Sequence, residues 1–174
     1  MRRLWLRFVA WAHEWLQERV AGRRPPDLVI GGDENPYLLR WWVIPRNRVF
    51  NIYLHLFLRD DDDRALHDHP WPNMSLLLLG AYIEHTIDAG GIHRRTRRSV
   101  GDIVCRLPWR AHRVELYALP WGAPEWLDKC PCWTLFVTGP RIRHWGFHCP
   151  EQGWLPWEKF TSSDGREVGR GCDQ

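Results

Sequence analysis

Two histidines one residue apart, His67 and His69, open the stretch HDHPWPNMSLLLLG at residues 67–80. In an extended strand, side chains at i and i+2 leave the same face, so both imidazoles can point together while Asp68 points away. Two converging imidazoles suit a metal ion, but a metal site needs at least a third protein ligand. The segment GDIVCRLPWRAHRVE supplies His112, after a strand beginning at Gly101 and a turn through Pro108. Three neutral imidazoles without a carboxylate favour Fe(II), Zn(II), Ni or Cu over Mg or Ca, which prefer anionic oxygens. With iron, such a face leaves positions for water, substrate and O₂. With Zn(II), it lowers the pKa of a bound water and suits hydrolysis or isomerisation.

The residues expected around this centre are fewer. In NIYLHLFL, the residues Asn51, Tyr53, His55 and Phe57 share one face, suited to lining a polar cavity. His55 and Tyr53 are candidates for supporting or catalytic roles there. Glu84, which shares a strand face with Tyr82, is a candidate replacement ligand or general base. Arg106, Arg110 and Arg113 flank His112, so a small anionic molecule gripped by guanidinium groups is the expected ligand.

These side chains require a scaffold, and the chain reads as one. Of its 174 residues, 13 are Trp, and the hydrophobic fraction of 44% excludes a disordered chain and predicts one domain. From Tyr37 onward, short β segments alternate with turns: LLRWWVI, NIYLHLFL, SLLLLGAYIEHTI, DIVCRL, HRVELYAL and CWTLFVTG. This pattern predicts an all-β sandwich or barrel over 37–160, preceded by a helical extension at 1–21 and a Pro- and Gly-rich linker at 22–36, and followed by a flexible tail at 161–174. In the extension, Leu4, Phe8, Trp11 and Trp15 recur at helical spacing. They predict an amphipathic helix laid on the body of the protein or on a second copy, so that a homodimer is an expected assembly. Arg7, His13 and Glu14 interrupt any membrane span or signal peptide, and no membrane partner is expected.

Five cysteines, an odd number without a CxxC pair, predict no disulfide framework and a reducing, cytoplasmic setting; Cys130 and Cys132 are too close for a structural zinc pair. The RDDDDR run at 59–64 reads as a solvated turn whose carboxylates pair with Arg59 and Arg64, since it lacks a calcium-loop pattern. GGIHRRTRRS reads as an exposed, arginine-rich hairpin tip, and without interleaved aromatics no nucleic-acid partner is expected. The Trp-rich TGPRIRHWGFHCPEQGWLPWEKF is expected in the core or at an interface.

The order His67, His69, Asn73, Gly80, then Gly101 and His112, resembles the two short motifs of the cupin superfamily over roughly residues 37–160. The resemblance implies a double-stranded β-helix, a jelly-roll barrel, with a metal held by His67, His69 and His112. Asn73 stands near the metal where the first motif usually carries a glutamate ligand, and Leu107 and Trp109 stand where the second usually has Pro and Gly. The function expected is that of a metal-binding cupin, a non-haem iron oxygenase acting on a small anionic substrate. The alternatives are a non-catalytic small-molecule binding or sensor barrel, and a zinc-type isomerase or hydrolase.

Overall fold

The computed structural model of the chain describes residues 1–61, 65–119, 129–162 and 171–172. Its strands form two antiparallel sheets of six. In the first, the spatial order is β1 (Leu28–Ile30), β2 (Leu38–Trp42), β3 (Asn51–Phe57), β10 (Cys132–Thr138), β5 (Asn73–Leu79) and β8 (Ile103–Arg106). In the second it is β12 (Gly153–Pro156), β11 (Gly146–Cys149), β4 (Leu66–His67), β9 (His112–Leu116), β6 (Ala81–Asp88) and β7 (Ile92–Ser99). The inner orders, β3-β10-β5-β8 and β4-β9-β6-β7, are those of an eight-stranded jelly roll. The all-β barrel expected from the sequence is therefore the fold, with β1-β2 and β11-β12 widening the two sheets.

The run SLLLLG shows why the first sheet sits where it does. Leu77 faces the barrel interior with Tyr82, Val114, Leu116 and Cys132, while Leu76 and Leu78 face outward. A strand buried on both faces reads as a continuous apolar run. The outer cover is helix α1 (Arg2–Arg19), which places Val9 and Leu16 against Trp41, Leu54, Leu76, Leu78 and Trp133. At Gly101, φ is +89° and a Cβ would stand 2.9 Å from the indole nitrogen of Trp5, which instead donates to the Gly101 carbonyl at 2.9 Å. Gly80, with φ +87°, makes the one-residue turn between β5 and β6, where a Cβ would meet the Pro131 carbonyl at 2.7 Å.

Several expectations are corrected. Helix α1 docks through Trp5, Val9, His13, Leu16 and Val20, and the expected stripe of Leu4, Phe8, Trp11 and Trp15 faces away from the barrel. Both faces have helical spacing, and the docked one sets Val9 and Leu16, with Trp5, against Trp41 and Trp133 of the first sheet. The stretch read as a linker contributes β1, which pairs with β2 from Leu28↔Arg40 to Ile30↔Leu38. Cys149 and Cys172 form a disulfide, with Cα atoms 5.5 Å apart, where the cysteine count predicts no disulfide framework. Sequence spacing did not reveal it because the partners meet only after β11 and the chain end fold onto one another. Cys132, by contrast, is buried in the core, where burial raises its thiol pKa.

The acidic run is no solvated turn. Asp60 accepts from the Leu116 amide and pairs with Lys129, and buried Asp61 accepts from the Val114 amide at 2.7 Å, so both carboxylates clamp β9. The remainder of that run, residues 62–64, with its expected Arg64 pairing, lies outside the described residues. The Trp-rich C-terminal stretch does build core. Phe147 stacks on Phe160 of the short helix α2 (Trp157–Phe160) at 3.7 Å, beside Ala65 and Cys149.

Candidate metal centre

Strand pairing brings the histidines together. His67 on β4 is the direct cross-strand partner of His112 on β9, and the His69 backbone just beyond β4 donates to the Pro108 carbonyl at 3.0 Å. Asp68 points the other way. Its carboxylate accepts from the Gly146 amide at 2.8 Å, Arg143 at 2.7 Å and the Trp154 indole at 3.1 Å. Burial acts to raise the Asp68 pKa, but hydrogen bonds from His148, Gly146 and Arg143 outweigh it and hold the carboxyl below its ordinary range. Asp68 thereby anchors the segment and turns its two neighbours inward.

One ligand nitrogen from each of His67, His69 and His112 lies within 4.8 Å of the others, and the Nε2 atoms of His69 and His112 are 3.0 Å apart. Burial is the first cause that lowers all three imidazole pKa values, with Arg106 and the neighbouring histidines adding to it. The three rings are thus neutral, the form that ligates metal. Nδ1 of His112 makes no hydrogen bond of good geometry and lies 3.4 Å from Oε1 of Glu84, while Nδ1 of His67 lies 3.8 Å from Oδ2 of Asp61. Carboxylates behind metal-ligating imidazoles orient the rings and raise their basicity. The donor set fits a borderline divalent metal.

A cavity of about 80 Å³ opens on these rings, lined among others by Arg40, His55, Trp71, Tyr82, Arg106 and Phe136. The sequence-predicted residues divide around it. His55 lines the cavity, and Tyr53 sits beneath it with ring centroids 6.0 Å apart. Glu84 is fully buried and bonded to Arg98 at 2.8 Å and Arg106 at 2.7 Å, so it stands behind His112 and not beside its ligating nitrogen. Asn73 is buried opposite Arg106, with neither amide atom hydrogen-bonded, and it is Ser75 that represents β5 in the cavity wall. Arg106 reaches the cavity, but its charge is spent on Glu84. Arg110 and Arg113 line a separate outer groove of about 600 Å³ with His85, His93 and Trp109.

The cation that sequence reasoning missed is Arg40 on β2. Its Nε donates to Nε2 of His55 at 2.8 Å, and its guanidinium lies 5.0 Å from the Tyr53 ring centre. No carboxylate pairs with it among the described residues, and burial lowers its pKa. An arginine alternating with Leu38 and Trp42 in an apolar strand was the available signal.

No family model matches the chain, and no curated protein matches it. Solved structures similar to it include an uncharacterised conserved protein with a double-stranded β-helix domain from Klebsiella pneumoniae, at 15% identity and TM-score 0.46, covering 68% of this chain and 90% of that one. A cupin superfamily protein from Desulfitobacterium hafniense aligns at 13% identity and TM-score 0.43, over 59% and 77% of the two chains. The DMSP lyase DddQ from Ruegeria pomeroyi aligns at 17% identity and TM-score 0.47, over 70% of this chain and 57% of that one. The fold named for these structures, the double-stranded β-helix of cupins, is the one that the strand order of this chain establishes.

Proposed function

We propose that this chain is a metal-dependent enzyme of the non-haem iron type, acting on a small anionic substrate in the cavity that His67, His69 and His112 share. The observation that carries the reading is the conjunction of three neutral imidazoles at one point, His112 buried and His67 and His69 half-buried, with the guanidinium of Arg40, which has no carboxylate partner among the described residues, in the same cavity. Iron, when bound, supplies Lewis acidity and a redox couple with coordination positions left open. The remaining chemistry belongs to the chain. Arg40 receives the anionic group of the substrate, with His55 and the Tyr53 ring fixing the guanidinium. Burial pushes the Tyr82 phenol up to about 12, so it faces the cavity as a neutral hydroxyl. Phe57, Trp71 and Phe136 supply apolar walls that keep bulk water out. A cavity of about 80 Å³ admits a small substrate.

The test begins with protein purified without a polyhistidine tag. One metal per chain is expected in the wild type, and strong loss of it in His67→Ala, His69→Ala and His112→Ala with the barrel still folded. Substoichiometric metal that none of the three variants changes would sink the metal reading. The Fe(II)-loaded protein is then offered small carboxylates and phosphonates with O₂ uptake recorded. Turnover by Zn(II)-loaded protein without O₂ identifies a hydrolase or isomerase instead, and thermal stabilisation without turnover identifies a binding protein.

A further inference from the structure

Nothing among the described residues covers the outward face of helix α1. Leu4, Phe8, Trp11 and Trp15 are 70%, 50%, 57% and 46% exposed, and the rings of Phe8 and Trp11 touch at 5.8 Å between centroids. Four large apolar side chains in one continuous strip mark an interaction surface. Their spacing of four, three and four residues is that of the core positions of a two-helix coiled coil, so the face is shaped for a second helix.

The charges beside the strip name that helix. At 100° per residue, Arg3, Arg7, Glu14 and Glu18 fall in one sector along the same flank of the strip, with the bases in the N-terminal half and the acids in the C-terminal half. We infer that this face pairs with the same face of a second copy, the two helices running antiparallel about a two-fold axis between Phe8 and Trp11. Phe8 then meets the partner's Trp11, and Leu4 meets the partner's Trp15. Along the flank, Arg7 meets the partner's Glu14 and Arg3 meets the partner's Glu18, twice over by symmetry. In a parallel pair this flank would instead face the partner's opposite flank, which carries Ala12 and Arg19, so Arg3 and Arg7 would meet no acid. An anionic lipid surface would accept the arginines but repel Glu14 and Glu18. The opposite face of α1 remains docked on the first sheet, so pairing joins two barrels without disturbing either. The inference is independent of the metal reading.

Sedimentation equilibrium of the full-length chain tests it. The wild type is expected at twice the chain mass of 20.8 kDa. Arg7→Glu, which sets like charges against each other across the interface, and Trp11→Glu, which buries a carboxylate against the partner's Phe8, should each weaken the dimer by about tenfold or more. Combining Arg7→Glu with Glu14→Arg exchanges the charges and should restore wild-type assembly, which no effect on folding would mimic. Circular dichroism and metal content should be unchanged in all three. A monomeric wild type, a dimer indifferent to Trp11→Glu, or failure of the double variant to recover would overturn the proposal. So would a monomer that floats with phosphatidylcholine–phosphatidylserine vesicles, since that assigns the face to lipid.

Discussion

Glu84 supports the proposed metal centre from behind His112 without being one of its proposed ligands. It binds Arg98 and Arg106 and lies behind Nδ1 of His112. Glu84→Gln removes the negative charge from that position and leaves the buried Arg106 and the half-buried Arg98 under-compensated, so metal affinity measured by chelator competition should fall about 10–100-fold. The histidines also set a pH dependence. All three are held below the ordinary imidazole value, first by burial, so below pH about 6.5 the unfolded chain binds protons that the folded one refuses. Metal-free protein should therefore lose stability as pH falls through that region, by about 1.4 kcal/mol per pH unit for each histidine that stays neutral, read by urea denaturation at several pH values. A flat profile would mean that the rings are not desolvated as described. The three histidines were legible because a period of two and a turn-bounded strand restrict where imidazoles can point. Arg40 was not: its meaning depends on the lack of a nearby acid, which is a property of the folded cavity. Asp61 was hidden likewise, because an acidic run looks the same whether it meets water or the backbone of β9.

At the scale of elements, α1 is part of the core, and truncating its docked face should cost what core truncation costs. Leu16→Ala is expected to destabilise by about 2–5 kcal/mol, whereas Trp15→Ala should change monomer stability by under about 0.5 kcal/mol as a surface substitution. Equal effects would mean that the helix is rotated from the orientation described. The long strands were readable in the sequence because NIYLHLFL and CWTLFVTG alternate or run apolar for seven residues or more. β4 was not, since its two residues carry no periodicity and are fixed by β9 and β11 on either side. Of the two surfaces left open for the Leu4, Phe8, Trp11 and Trp15 stripe, the body of the protein does not meet it, for a related reason. Hydrophobicity ranks tryptophan with leucine, but which stripe docks is decided by the shape of the sheet it meets.

At the scale of the molecule, the C-terminal segment is tied back by Cys149–Cys172 across 23 residues. Cross-linking a loop of that size restricts the unfolded chain, so reduction, or Cys172→Ser, should lower stability by about 2–4 kcal/mol, seen as a drop in Tm in dithiothreitol. No change would place the bond outside the folded protein's working structure. Metal content should survive reduction, because the proposed ligands His67, His69 and His112 lie on or just beyond β4 and on β9. That placement has one more consequence. His67 faces His112 directly across the β4–β9 pair, and Asp68 occupies the opposite side of the same short strand. Sliding β4 by a single residue would swing the carboxylate inward and both imidazoles outward, while the helix, the first sheet and most of the apolar core stayed as they are. On the proposed reading, metal uptake would then report chain registry, since a slipped strand presents a carboxylate to the cavity in place of two imidazoles.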